Sequence, residues 1–514
     1  MTGKYKKGKV FLTGAGPGDP ELLTLKARRC IESADVVIYD YLANEKFLAY
    51  APAHAEIIYV GKKGGDHTMK QTDINQLIID RALKGKNVVR LKGGDPFIFG
   101  RGGEEAEELI QAGIIFEVIP GISSAVAVPA YAGIPLTHRN YSSMVSFITG
   151  HEDPNKPGSS ICWQALGQET GTLVFLMGVE NIEKISEKLI AGGRDPDTPA
   201  AVIRHGTTAR QITVSGKLSS IAELTKKSGI GAPAIIVVGE VVKLRNTLNW
   251  FEDKPLFGKK IIVTRAREQS SDLLRQLEEA GADCIEFPTI EIAALENYDS
   301  LNRAFERLNI YNWIIFTSVN GVKNFFKKLD EYGWDSRKLG GAKIAAIGSK
   351  TAFELKTFGI NPDLVPDEYK AESIITELVK GGSVKGLSFL IPRAETARDI
   401  LPVELEKMGA NVDVVPVYRT IKPSAGSDKI KELLAEGEID AITFTSSSTV
   451  QNFMEMFRDS LEDFHMWIKK TAIVCIGPIT ADTASKAGFS VTATPDEYTI
   501  EALVTVIIDI FSKK

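Results

Sequence analysis

The sequence predicts a multidomain α/β protein, and two observations carry that expectation. Short apolar or β-branched runs (Val10 to Thr13, Val36 to Tyr39, Val88 to Leu91, Val174 to Met177) alternate with amphipathic stretches such as Leu22 to Ser33 and Ile182 to Ala191. That is the rhythm of strands and crossover helices built around parallel sheets. The second half of the chain also repeats itself. Val263-Thr264-Arg265, followed by Leu273, Leu277, Gly281 and Pro288, recurs 128 residues later as Ile391-Pro392-Arg393 with Leu401, Leu405, Gly409 and Pro416. Phe316-Thr317-Ser318 returns as Phe444-Thr445-Ser446, and Ile347-Gly348 with Pro366 to Tyr369 matches Ile476-Gly477 with Pro495 to Tyr498, where the offset slips to 129. A tandem α/β duplication gives two similar lobes, and ligands are commonly held in the cleft between such lobes.

The chain has 514 residues, more than one domain core accommodates. A hydrophobic fraction of 44% beside 25% charged residues is that of soluble globular domains. No apolar run approaches the roughly 20 residues that span a bilayer, and Met1 to Lys9 leads into a short strand rather than an export signal. A net charge of −5 excludes a general nucleic-acid footprint. Cys30, Cys162, Cys284 and Cys475 lie far apart without a C-x-x-C pair, which argues against a zinc site and a disulfide framework and for a reducing cytoplasm. The α/β rhythm breaks over residues 246–258, around Trp250, Phe251 and Pro255, and restarts at Lys259. The expected organisation is therefore a module over 1–250, a linker over 246–258 and a second module over 259–514.

The first module carries glycine-rich turns at the ends of its strands. Val10 to Thr13 runs into Gly14-Ala-Gly16-Pro17-Gly18-Asp19. A dinucleotide fingerprint requires glycine where Asp19 stands, and Pro17 removes a backbone donor. The chain has no G-x-x-x-x-G-K-[ST] loop either. What remains is a turn that lets an adenosine-type or similar ligand lie against backbone. Val88 to Leu91 runs into Lys92-Gly93-Gly94-Asp95 and on through Gly100-Arg101-Gly102-Gly103, where missing Cβ atoms permit close backbone approach and Asp95 offers a carboxylate. Asp40 and Lys62 end two further predicted strands, at the edge where ligands bind in open parallel sheets, and can act as base and acid or simply pair with each other. Pro120-Gly-Ile-Ser123-Ser124 opens a helix with hydroxyl groups.

Together these motifs, with Ala132 to Arg139 and Ala232 to Val242, resemble the tetrapyrrole methylases, specifically the uroporphyrinogen-III C-methyltransferases, over roughly residues 8 to 250. The resemblance implies a two-domain α/β fold (about 1–138 and 139–245), S-adenosyl-L-methionine as cofactor, no metal, and a homodimer. It implies cofactor contacts at Pro17, Gly93, Gly94, Asp95, Ile98, Ser123, Ser124, Met177 and Gly206, and an acid/base pair in Asp40 and Lys62. Position 123 is Ser where Thr is frequent, which keeps the hydroxyl. The many carboxylates of the implied tetrapyrrole substrate would find counter-charges in Lys62, Lys63, Lys92, Arg101, His138 and Arg139.

Residues 259–514 resemble uroporphyrinogen-III synthase, on Phe316 to Val322, Val412 to Thr420, Phe444 to Val450 and Ile476 to Thr480. That family implies a two-lobed fold whose chain crosses twice, with one lobe of about 258–293 plus 421–514 and the other of about 294–420, and a ring closure without a cofactor. It implies Tyr418 as the residue assisting departure of hydroxyl, with Ser318, Ser446, Ser448 and Thr480 binding substrate carboxylates. The joint expectation is a cytoplasmic bifunctional enzyme that converts hydroxymethylbilane to uroporphyrinogen III and methylates it twice to precorrin-2, toward sirohaem or cobalamin. The rivals are a methylase of another corrinoid intermediate and a catalytically idle tetrapyrrole or nucleoside sensor. No NAD-type fingerprint occurs, so no later dehydrogenase step is expected.

Overall fold

A computed structural model describes residues 7–61, 69–151, 160–264, 267–289, 291–366, 371–397, 399–421, 427–458 and 461–512. The chain divides into two compact units, one centred on the residues up to Ile261 and the other on Ile285–Val506.

The first unit opens with strands β1 (Val10–Gly14), β2 (Val36–Tyr39), β3 (Glu56–Tyr59), β4 (Val88–Lys92) and β5 (Phe116–Ile119). They form a parallel sheet in the order β3-β2-β4-β1-β5. Alternation along the strands separates two cores. Val10, Leu12, Val36, Ile38 and Val88 pack with helices Gln71–Leu83 and Gly102–Gln111, whereas Val37, Val89 and Leu91 pack with helix Leu25–Glu32 and Phe47. Crossovers therefore leave β1 and β4, which are neighbours, toward opposite faces. This is the switch point at which a crevice opens beyond the carboxyl ends of the strands.

The unit continues with β6 (Val145–Thr149), β7 (Thr172–Leu176), β8 (Pro199–Arg204), β9 (Ile212–Lys217) and β10 (Ala234–Val238), a mixed sheet in the order β6-β7-β10-β8-β9. Helix Ser124–Tyr131 follows β5 of the first sheet, yet Ala125 and Val128 pack on Val174, Leu176, Ala201 and Ile203 of the second. One helix thus belongs to both subdomains. Residues 246–258 are not an open tether. Phe251 and Leu256 are buried, the Trp250 indole N–H donates to Ala130 O, and Glu252 accepts from Gln211, Thr213 and Arg245.

The chain continues with β11 (Lys260–Val263), β12 (Asp283–Glu286), β13 (Glu291–Ala293), β14 (Trp313–Phe316), β15 (Lys343–Ala346), β16 (Ser388–Ala394), β17 (Asn411–Ile421), β18 (Ala441–Phe444), β19 (Ala472–Cys475) and β20 (Val491–Ala493). The sheets run β12-β11-β18-β19-β20 and β13-β17-β16-β14-β15. The sequence repeat explains this order. β11, β12, β14 and β15 of the first copy correspond to β16, β17, β18 and β19 of the second. Of these eight strands each sheet therefore takes two from one copy and two from the other. The correspondence reaches the edges, since the Ala345–Leu364 bridge is the counterpart of the Val474–Ala493 pairing.

Glycine sets the spacing of the loops beyond the first sheet. A Cβ on Gly121 would lie 2.2 Å from Gly94 O, and one on Gly14 would lie 2.5 Å from Gly121 Cα. These atoms are backbone and cannot swing aside. Gly121→Ala should lower the stability of the first unit by about 3 kcal/mol. Denaturant unfolding of the full chain checks this, and an unshifted first transition would contradict it.

Candidate functional site

The carboxyl edge of the first sheet gathers four loops. Gly16 and Gly94 exchange two backbone hydrogen bonds, at 3.2 and 2.6 Å, tying the turn after β1 to the turn after β4. Asp95, almost buried, accepts from Phe97 N–H at 2.8 Å through Oδ1 and from Gly121 N–H at 3.0 Å through Oδ2. It thereby ties the β4 turn to the β5 turn. The sequence reading offered this carboxylate to a ligand, whereas both its oxygens are engaged by backbone. Ser123 is likewise engaged, its Oγ accepting from Ala125 N–H at the start of helix Ser124–Tyr131. The fourth loop follows β8, where Gly206 packs against Val128; a Cβ there would lie 2.4 Å from Val128 Cγ1.

The structure therefore brings together the turns that carry Pro17, Gly93 to Asp95, Ser123, Ser124 and Gly206. Ile98 continues the β4 loop between Phe97 and Phe99, both well exposed. Met177 stands at the end of β7, exposed and with φ +56°. Left-handed backbone outside glycine is uncommon. Among the described residues it occurs at Phe99, Arg101, Met177, His205 and Thr207, all in the loops of the first unit. Burial, helped by the charges of Arg204 and Arg210, pulls the His205 imidazole below its ordinary pKa.

Asp40 is not a free carboxylate. Its Oδ2 accepts from Arg90 Nη2 at 3.1 Å and its Oδ1 from Leu42 N–H at 3.2 Å. Arg90 and Lys92 alternate with Val88 on the buried face of β4, and both reach Glu105 Oε1, at 3.3 and 2.8 Å. Gln71 Nε2 donates to the same oxygen at 3.0 Å, and Glu105 Oε2 is buried without a partner among the described residues. Burial and the Arg90 charge pull the Lys92 ammonium below its ordinary pKa, against the pull of Glu105. Lys92 is therefore a buried partner of Glu105 and not the rim counter-charge expected from sequence. The sequence reading missed Arg90 and Glu105. The available signal was two cations at period two inside an otherwise apolar central strand, which demand buried anions.

Lys62 and Lys63 lie outside the described residues. Arg101 is exposed and paired with Glu104 at 2.6 Å, a link worth little and easily exchanged. His138 Nδ1 accepts from Asn140 N–H, while Arg139 is exposed.

In the second unit the candidate residues fall into two groups. Tyr418 lies on β17 just past a register slip between Arg393 and Ala394, an irregularity of the kind that re-aims a side chain. Its ring belongs to the core around Phe316 and Phe325, and its hydroxyl is 3.3 Å from Ser318 Oγ. Ser318 caps helix Val319–Glu331 by accepting from Gly321 N–H. In the other sheet, Ser446 caps helix Ser447–Met456 and lies 3.0 Å from Ser448 Oγ, while Thr480 is buried in helix Pro478–Lys486. Ser318 and Ser446 are thus equivalent caps in the two repeat copies. The carboxylate-binding role expected for them competes with the capping bond each already accepts.

Comparison with known proteins defines the class. Residues 9–222 match the family model for Tetrapyrrole (Corrin/Porphyrin) Methylases, and residues 271–505 match that for Uroporphyrinogen-III synthase HemD. The chain is therefore a bifunctional enzyme of tetrapyrrole biosynthesis with a methylase module and a synthase module. It is 37% identical over 504 residues to the porphyrin biosynthesis protein HemD of Ruminiclostridium josui, covering 98% of each chain, and it belongs to that family. Its first module is 56% identical over 248 residues to an S-adenosyl-L-methionine-dependent uroporphyrinogen III methyltransferase of Methanosarcina barkeri, covering 48% of this chain and 96% of the relative. A crystal structure of uroporphyrin-III C-methyl transferase from Thermus thermophilus, complexed with S-adenyl homocysteine, is 40% identical and aligns with a TM-score of 0.40, covering 46% of this chain and all of the other.

Arg90→Ala would leave the Glu105 carboxylate with Lys92 and the neutral Gln71 amide, and Asp40 without its guanidinium. Removing one partner of such a buried cluster should cost about 4 kcal/mol. Chemical denaturation checks this, and a loss below about 1 kcal/mol, the scale of a surface pair, would refute the role given to the cluster.

Proposed function

We propose that the chain closes hydroxymethylbilane to uroporphyrinogen III in its second module and transfers two methyl groups to that product in its first, giving precorrin-2. The observation that carries this reading is the pairing of the two modules on one chain, because the product of the one is the substrate of the other. S-adenosyl-L-methionine would supply an electrophilic methyl group, so the protein has chiefly to align a pyrrole carbon and accept a proton.

The residues present fit that cofactor. Gly94 has φ +68°, and the place of its missing Cβ lies in van der Waals contact with Ser124 N at 3.7 Å and Ser123 Cα at 3.8 Å, so the β4 turn and the start of the Ser124–Tyr131 helix stand side by side. In this reading Gly93, Gly94, Pro17, Ile98, Ser123, Ser124, Met177 and Gly206 hold the cofactor, and Asp95 holds the loops that do so. Asp40, aimed by Arg90 and the Leu42 N–H, accepts the proton, with Lys62 as its partner. Arg101 and Arg139 meet substrate carboxylates. The synthase module needs no cofactor. There the Tyr418 hydroxyl, beside Ser318, assists departure of the substrate hydroxyl, and Ser446, Ser448 and Thr480 bind carboxylates. The same reading places the protein in the cytoplasm, divides it at residues 246–258, and makes it a homodimer through the first module, which light scattering of the purified chain checks.

Supplying hydroxymethylbilane and S-adenosyl-L-methionine to the full chain should yield precorrin-2, identified by mass and absorption. Unmethylated uroporphyrinogen III alone would remove the methylase assignment, and the type I isomer alone would remove the synthase assignment. Tyr418→Phe should slow ring closure on the order of a hundredfold, the scale of a lost general acid. Methylation of supplied uroporphyrinogen III should keep its rate, and a parallel fall in both activities would count against a chemical role for this hydroxyl.

A further inference from the structure

Asp19, the residue that breaks the dinucleotide fingerprint, makes three hydrogen bonds besides the one its carbonyl accepts from Leu22 N–H. Its Oδ1 accepts from Glu21 N–H at 2.9 Å, a local cap. Its Oδ2 accepts from the Tyr131 hydroxyl at 2.8 Å, and its own N–H donates to Thr207 Oγ1 at 3.1 Å. Neither of the last two is local, being 112 and 188 residues away in sequence. Tyr131 is the last residue of the helix that Ser123 caps and that packs on the second sheet. Thr207 lies beside Gly206 in left-handed backbone (φ +68°), and its N–H donates to Gln211 Oε1. Asp19 thus joins the β1 turn of the first subdomain to the helix shared by both subdomains and to a loop of the second.

The far side of the link is braced. Gln211 Nε2 donates to Tyr131 O at 3.3 Å and to Glu252 Oε1 at 2.7 Å. The Tyr131 ring meets Trp250 and Phe251 edge-on at 5.0 and 4.7 Å. Burial, and then the bond to Asp19, push the Tyr131 phenol well above its ordinary pKa, so it remains a donor throughout the working pH range.

We propose that Asp19 and Tyr131 are positioning residues for the cofactor. Their bond holds the Gly14 to Asp19 turn against the helix bearing Ser123 and Ser124, alongside the Asp19 to Thr207 bond that reaches the Gly206 loop, so that the surfaces of the two subdomains face one ligand. This rests on the reading of S-adenosyl-L-methionine as cofactor. A charge-assisted bond lost from a pre-formed site corresponds to about tenfold in affinity.

The test is calorimetric titration of S-adenosylhomocysteine into the full chain, its Tyr131→Phe and Asp19→Ala variants and the double variant. Tyr131→Phe should weaken binding about tenfold and raise KM for S-adenosyl-L-methionine while KM for uroporphyrinogen III and the synthase rate hold. The double variant should bind no more weakly than Asp19→Ala alone, because both changes remove one bond. Unchanged affinity in Tyr131→Phe with the wild-type chain binding normally, or additive losses in the double variant, would overturn the proposal. Absence of binding to the wild-type chain would instead remove the cofactor reading on which it stands. The synthase rate and thermal unfolding report folding in each variant, and restored affinity in Asp19→Asn, which keeps an acceptor for Tyr131, would separate positioning from general destabilisation.

Discussion

The first module depends on backbone meeting backbone without side chains between. Gly14, Gly94 and Gly121 stand at the carboxyl ends of three strands, so close that a Cβ on Gly14 or Gly121 would overlap a neighbouring main chain. The exchange of hydrogen bonds between Gly16 and Gly94 and the two bonds accepted by Asp95 then lock the three turns as one platform. Glycine serves two ends here: it lets the loops close on each other and, at Gly94, supplies the left-handed backbone (φ +68°) that the turn requires.

Beneath that platform lies a compensated charge cluster. Arg90 and Lys92 sit on a face of β4 that elsewhere holds only apolar packing, and Glu105 answers both. Burying two cations is tolerable because an anion is buried with them and Asp40 supplies a second at the rim. The arrangement links a core helix to the residue proposed to accept a proton. Asp40 is consequently aimed by the interior of the subdomain and not by its own loop alone.

The second module solves a different problem. A repeat copy alone presents strands whose apolar faces and edges need partners. Exchange of halves supplies them, since β11 of the first copy lies beside β18 of the second while β14 lies beside β16. The two lobes are equivalent in sequence and in topology, down to the serine caps Ser318 and Ser446. They differ at β17, which runs eleven residues because it also pairs with β13, and it is this longer strand that carries Tyr418.

Much of this was legible from residues alone. Period-two and helical patterns, glycine turns at strand ends and the 128-residue repeat gave the α/β class, the two modules and the loops that gather at the first sheet, because local backbone preference and burial periodicity are written in sequence. What a side chain meets across the fold was not. Asp95 proved to bind backbone, Lys92 proved to be buried, and Arg90, Glu105 and Tyr131 went unremarked, because each role is set by a partner far away in the chain. Asp19 shows the division most clearly. Sequence established that it excludes a dinucleotide turn; only the tertiary structure, by bringing Tyr131 and Thr207 within hydrogen-bonding reach, decided what the carboxylate does there.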